Sequence, residues 1–315
     1  MLIAYAQNGP GLIRLAHDAP LDTAVWIDLF RPLPPQIAQM ADLGVAVPSL
    51  DDMEEIEISN RLYREDHADF MTAVLPGATP EGGQISAPIT FILTETRLIT
   101  VRHHAPRPFE TFADRAERST VGCGDSTRLF LGLVEEIVAR QADLLEAAGR
   151  ALDHVSVRVL DGGSPALHAV LLDVAREAEV LNRVRLGLLT VERMLSVFGV
   201  WHDGRTEHAG LRGHLRAMVR DINALEVHAD FLSGRVSLTT DTTLGMINLE
   251  QNKTVRIVSV VAALFLPPTL IASIYGMNFA VMPELAQVWG YPAALVLMAA
   301  SALVTYWYFR WKKWL

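Results

Sequence analysis

Two stretches near the C-terminal end hold no charged residue at all: 27 positions between Arg256 and Glu284, and 25 between Glu284 and Arg310. A bilayer core of about 30 Å needs roughly 20 apolar helical residues, and each stretch exceeds that. A helix in a soluble core rarely stays uncharged so long, because one of its flanks meets water. The pattern predicts a helical hairpin of two membrane spans, built on residues 257–275 and 289–309. Within hydrocarbon each isolated span must satisfy its own backbone, so helix is the conformation open to it.

Charge is divided along the chain. Residues 1–250 hold 22 basic and 35 acidic side chains, a net −13, while residues 251–315 carry +4, for a total of −9. Lys253 and Arg256 precede the first span and Arg310, Lys312 and Lys313 follow the second; residues 278–290, between the spans, contain no basic residue. Lys and Arg resist translocation and acidic residues count little, so both termini are expected on the cytoplasmic side. Trp289 and Tyr291 at the outer end, and Tyr306, Trp307, Tyr308, Trp311 and Trp314 at the inner one, fit aromatic belts. The apolar run of residues 1–6 lacks a basic leader and a cleavage pattern, so no signal peptide is expected. A chain this acidic is not expected to bind nucleic acid. Its single cysteine, Cys123, excludes an internal disulfide and a cysteine cluster for zinc.

The first 120 or so residues alternate strand-like and helix-like segments, which predicts a mixed α/β domain. Residues 25–30, 69–75, 88–93 and 97–103 read as strands, residues 34–43 and 108–118 as helices, and residues 76–83 as a loop tip by composition. The Gly122–Gly124 turn lacks the spacing of a phosphate loop and reads as a linker. From Ser126 apolar residues recur at threes and fours, in Leu129, Leu133, Val134, Ile137 and Leu144, and residues 167–198 behave likewise. Between Glu207 and Tyr275 no proline occurs before Pro267, so one helix is expected to run from the cytoplasm into the first span. Sixty such residues would reach roughly 90 Å, a length that needs neighbouring helices.

Tyr275, Gly276, Met277 and Asn278 close the first span, and Met282, Pro283, Glu284 and Leu285 follow. With Asn252 and Lys253, the 265–269 run containing Pro267 and Pro268, and the basic Lys312-Lys313-Trp314-Leu315 segment, these residues make the chain resemble the CorA family of magnesium transporters. The resemblance is strongest over residues 248–315 and rests on architecture alone before that. It implies a funnel-shaped homopentamer in the cell inner membrane: an α/β cytoplasmic domain, a long helical stalk, and two C-terminal transmembrane helices, the first lining a central pore. It also implies downhill Mg2+ influx, with Co2+ or Ni2+ as alternative substrates and Mg2+ as a regulatory ligand. The full YGMN and MPEL pair favours the magnesium and cobalt branch over zinc-transporting relatives. The expected division is 1–120 for the α/β domain, 121–204 for a helical hairpin region, and 205–256 for the stalk. The pore-lining span follows at 257–278, then an outer loop at 279–288, a second span at 289–309 and a basic tail at 310–315.

The chemistry of the motif suits that cargo. Magnesium sheds water reluctantly, so a filter should hold the hydrated ion through neutral oxygens. Asn278 offers one per subunit, Gly276 permits the backbone turn, and Met277 reads as packing. Helix C-termini converging there present partial negative charge to a cation. A helix-capping Asn in the left-handed region is the other physical account of Asn278. Stepping back from Ser273 by fours and threes gives Thr269, Leu266, Ala262, Val258 or Ser259, Val255, Asn252, Asn248 and Asp241 as the pore face. Such an apolar lining suits closure by dewetting, with Leu266 and Val255 as constrictions and Thr269 as a polar stop. Asp241 is the candidate for a carboxylate ring at the inner mouth, and Glu284 for concentrating cations outside. The resemblance adds Arg310, Lys312 and Lys313 as a basic collar. It also places a regulatory metal near a Leu-Asp-Asp segment, matched by Leu50, Asp51 and Asp52, with Asp221 as the nearest acidic choice on the stalk.

No Walker A, HExxH, GxSxG or CxxC pattern occurs, so neither ATP nor enzymatic chemistry is expected. The ten histidines read as ordinary surface or core residues; His103 and His104, adjacent after a strand, should point to opposite faces. Two rival readings stand beside the main one: a Zn2+ transporter of the same architecture, and a membrane-anchored enzyme or scaffold. Polar Thr269, Ser273 and Asn278 beside Pro267 and Pro268 disfavour a plain anchor.

Overall fold

The computed structural model describes all residues except 56, 58–60, 66, 80, 81, 162, 163, 203–209, 279–281, 284–286, 313 and 315. Its contacts divide it into two compact units, Met1–Val157 with Leu172–Thr239, and Arg158–Leu171 with Thr240–Leu315.

The first unit is built on a seven-stranded mixed sheet. Its strands are β1 (Leu2–Asn8), β2 (Gly11–Arg14), β3 (Trp26–Phe30), β4 (Leu62–Glu65), β5 (Ala68–Ala78), β6 (Gln84–Leu93) and β7 (Leu98–Arg102), in the order β2-β1-β3-β7-β6-β5-β4. Every neighbouring pair is antiparallel except β3 and β7, which run parallel with Asp28 opposite Thr100 and Phe30 opposite Arg102. The predicted loop tip is shorter than composition suggests. Pro76, Gly77 and Ala78 continue the ladder opposite Ser86, Ile85 and Gln84, because Ala78 is also bridged to Ala105. Gly77 is required there: a Cβ would sit 2.6 Å from the His104 ring.

Helices cover both sheet faces. On one side α1 (Pro34–Asp42) and α2 (Leu50–Glu54) contribute Met40 and Met53 to a core with Ile27, Leu29, Phe70, Ile99 and Val101. On the other lie α3 (Pro108–Arg115), α4 (Ser126–Asp161), α5 (Ser164–Trp201) and the start of α6 (Leu211–Tyr275). There Trp26, Phe91, Phe109, Phe112 and Phe130 join Leu188, Val191, Ile222 and Leu232. The end of α5 is tied to the sheet edge: His202 Nε2 lies 2.7 Å from Asp69 Oδ2, and Arg64 donates to Asp69 Oδ1 at 2.7 Å while stacking over Trp201.

A charged cluster lies inside this unit at the parallel seam. Arg102 grips Asp28 with Nε at 3.1 Å from both carboxylate oxygens and Nη2 at 2.8 Å from Oδ2; the side chains are 5% and 2% exposed. Thr100 donates to Asp28 at 2.8 Å, Trp26 donates to Thr100 at 3.1 Å, and Phe30 and Phe109 face the guanidinium. Arg102 Nη1 also donates to the His104 carbonyl at 3.0 Å.

His104 itself is buried, whereas His103 is half-exposed, as the alternation of side chains predicts. His104 Nε2 lies 2.8 Å from the Leu75 carbonyl oxygen, which can only accept, so Nε2 carries the proton. Burial, with help from Arg102, pushes this imidazole down to about 4 despite the bond to Leu75. The folded value lies below the unfolded one, so the unfolded chain takes up the proton first as pH falls. The linkage is about 1.4 kcal/mol per unit, so this one residue should remove about 3 kcal/mol of stability between about pH 6.5 and pH 4. Denaturant titrations of the full chain in detergent at pH 7 and pH 5 should therefore differ, and the difference should shrink in His104→Gln.

The second unit holds the two apolar helices: the later part of α6, and α7 (Gly290–Trp311). Both are long and apolar enough to cross a membrane. On α6 the buried and half-buried positions are Val260, Ala263, Leu264, Pro267, Pro268, Ile271 and Tyr275; on α7 they include Ala293, Ala294, Met298, Ser301 and Thr305. Each set recurs at threes and fours, the pattern of two helices covering one another.

Candidate functional site

α6 ends on the Tyr-Gly-Met-Asn segment. The Gly276 N–H reaches the Ala272 carbonyl at 2.9 Å and the Met277 N–H reaches Ile274 at 3.3 Å, so the last turn tightens before the chain leaves the helix. Gly276 has no positive φ. A Cβ there would stand 3.1 Å from the Ala272 carbonyl oxygen, a contact that a shift of a few tenths of an ångström relieves. Those carbonyls form the negative end of the helix dipole. Asn278 has no positive φ either, which removes the left-handed cap as an account of why asparagine stands there. Its carboxamide is exposed just beyond the helix end. Met277 is 46% exposed, so within one chain it lacks the packing expected of it.

The stripe read back from Ser273 is uniformly exposed. Thr269, Ala262, Ser259, Asn252, Asn248 and Asp241 all face outward, as do Leu266 at 70% and Val255 at 63%. Phe265 and Leu270, off this stripe, are as exposed, at 59% and 60%, so in a membrane helix exposure alone does not single the stripe out. Thr269 Oγ1 donates to the Phe265 and Leu266 carbonyls, both at 2.9 Å. Its proton is thereby committed to the helix, and its lone pairs remain for donors such as the water shell of a cation.

The flanking residues are placed less completely. Glu284 and Lys313 lie outside the described residues. Arg310 contacts the Tyr306 hydroxyl at 3.4 Å, and the Lys312 ammonium sits 5.3 Å from the Trp311 ring centre. Asp52 closes the N-terminus of α2, with Oδ2 accepting from the Ser49 hydroxyl at 2.6 Å and its backbone N–H at 3.0 Å. These bonds hold its carboxyl below the usual range. Asp221 lines a groove of about 490 Å³ with Glu135 and His214. Among the described residues no three His, Cys, Asp or Glu side chains converge to hold a metal, so one chain does not complete a site at Asp52 or Asp221. Sequence counting stopped at Asp241; the exposed stripe goes on to Leu238, Phe231 and Val227, which the same four-and-three step would have found.

A mixed-sheet unit, one unbroken helix leading into an apolar hairpin, and a polar motif at the hairpin's turn define a two-span membrane protein with a large non-membrane part. Residues 22–313 match the family described as CorA-like Mg2+ transporter protein, and the chain belongs to the CorA family. It is 32% identical over 319 residues to the magnesium transport protein CorA of Pasteurella multocida (strain Pm70), and 32% identical over 322 residues to that of Escherichia coli (strain K12). Both alignments cover all of this chain and all of the relative. The complete structure of the CorA magnesium transporter from Methanocaldococcus jannaschii matches with a TM-score of 0.77 at 18% identity, covering 100% of this chain and 99% of that one, a likeness of fold.

Proposed function

We propose that this protein is a transporter rather than an enzyme, and that it passes Mg2+ down its electrochemical gradient through a pore formed by five copies of α6. The observation that carries the reading is the exposed carboxamide of Asn278 just past the end of α6, in the motif that the family resemblance singles out. Five carboxamides at the outer rim accept hydrogen bonds from the ion's own water, so the cation enters without being stripped. Below them the wall alternates polar Ser273, Thr269, Asn252 and Asn248 with apolar residues, of which Leu266 and Val255 close it by excluding water. Membrane potential supplies the work: a divalent cation gains about 4.6 kcal/mol per 100 mV on entering a negative interior, twice the figure for one charge.

In this reading residues 1–120 form the cytoplasmic α/β domain, 121–204 the helical hairpin region, 205–256 the stalk, 257–278 and 289–309 the spans, 279–288 the outer loop with Glu284, and 310–315 a basic tail. Both termini lie in the cytoplasm, the membrane is the cell's inner one, and Arg310, Lys312 and Lys313 ring the inner mouth. Asp241 forms a carboxylate ring there. Co2+ and Ni2+, close to Mg2+ in size, are alternative substrates. A regulatory Mg2+ at Asp52 and Asp221 requires a second copy to complete its ligands, which suits metal that closes the pore by joining subunits.

Purified protein in liposomes carrying an internal magnesium dye tests the function. Influx should rise with an inside-negative potential and need no ATP. A protein that moves Zn2+ but not Mg2+ would favour the zinc reading, and one that moves neither would favour an anchor.

A further inference from the structure

A groove of about 410 Å³ opens between the end of α5 and the start of α6. Leu195 and Gly199 on α5, with Leu215 and Val219 on α6, give it an aliphatic lining, and Arg216 and Arg220 border it. Gly199 keeps it open: a Cβ there would already stand 3.1 Å from the Leu215 side chain, and a longer group would fill the space.

The two arginines are placed for an anion. Four positions apart on α6, they share a helix face with about 6 Å between their Cβ atoms. Both are exposed, and among the described residues neither meets a carboxylate. Other arginines of the same helices do: Arg183 and Arg185 pair with Glu179 and Asp230, and Arg235 with Asp153. Residues 1–250 carry an excess of 13 acidic charges, so two neighbouring cations left without acids stand out. Like charges at this spacing repel, and an anion held between them turns that cost into attraction. Two guanidinium forks suit the several oxygens of one phosphate.

The lining sets the body of the ligand. It spans residues 195–199 and 215–220, no more than about 8 Å along either helix axis. A docked amphipathic helix needs anchors out to i+7, over about 10 Å, whereas the volume lies within the range of about 300–1,000 Å³ usual for small molecules. The groove has no aromatic face for a nucleotide base to stack on, and Ser196 is its one hydroxyl. An aliphatic chain fits such walls, and the length leaves room for one chain, not for a two-chain membrane lipid.

We infer, independently of the pore reading, that this groove binds a dissolved single-chain amphiphile with a phosphate head, its chain against Leu195, Leu215 and Val219 and its phosphate between Arg216 and Arg220. Calorimetric titration of the full chain in nanodiscs of zwitterionic lipid, with empty discs subtracted, tests this with octyl phosphate as the probe. Binding should saturate at one site per chain. Hexyl phosphate should bind about 15-fold more weakly, at about fourfold for each buried methylene lost. Arg216→Gln and Arg220→Gln, both exposed changes, should each weaken octyl phosphate by about tenfold or more, and Gly199→Leu should abolish its binding. No saturable binding by the native chain would overturn the inference. So would octanol binding as well as octyl phosphate, or unchanged affinity in both glutamine variants, since each would mean apolar partition alone. Inorganic phosphate binding as tightly as octyl phosphate would reduce the site to a bare anion patch and remove the groove from it. Should Gly199→Leu fail to fold, the glutamine variants and the chain-length series decide.

Discussion

Magnesium uptake by Asn278→Ala should fall by at least about 30-fold while the protein still reaches the membrane and still cross-links through Leu266→Cys. A hydrogen bond involving a charged partner is worth about 2 kcal/mol, and that much is already close to 30-fold in an equilibrium. The substitution removes one such acceptor from every copy at once. Asn278 is exposed and outside the left-handed capping conformation, so its loss should leave α6 intact. A change in stability of the variant would contradict that placement. Uptake that survives unchanged would refute the carboxamide filter whatever the family resemblance implies. Asn278→Asp is an instructive counterpart, because five carboxylates would hold the ion where conduction needs it released.

A second large effect is expected far from the membrane. Asp28→Ala strips the partner from a guanidinium that is 5% exposed, and breaking a buried pair in this way costs about 3–5 kcal/mol. Domains have about 5–15 kcal/mol in all, so the variant should melt much earlier and accumulate poorly. Pairing it with Arg102→Met removes the stranded charge and should recover part of the loss. Thermal melts of native, single and double variants of the full chain decide this. A single variant as stable as the native chain would mean that water reaches Arg102 after all.

The same residue shows why parts of the fold were hidden in the sequence. Asp28 interrupts an otherwise apolar strand, and it makes sense only beside Arg102, 74 positions later, on the one parallel pairing of the sheet. Pairings over such separations leave no local period. β1 was legible only as an apolar run at residues 1–6, since its partners β2 and β3 decide that it is a strand. The spans and the long helix were legible because hydrocarbon and helical period impose themselves residue by residue. At the candidate site the motif was visible, and the way the chain leaves α6 was not: the tightened last turn, with the Met277 N–H on the Ile274 carbonyl, exists only once the helix end has closed.

Pro267 and Pro268 lack amide hydrogens, so the carbonyls of Ala263 and Leu264 receive no bond from the next turn of α6. Acyl chains have nothing to give those two oxygens, and bare amide groups are costly in oil. They belong to the half-buried side of the helix, the side away from Leu266 and Thr269. In the proposed assembly the second span would be more than a tether for the return of the chain: lying on that side, it would act as insulation, keeping lipid off an open seam in the wiring of α6.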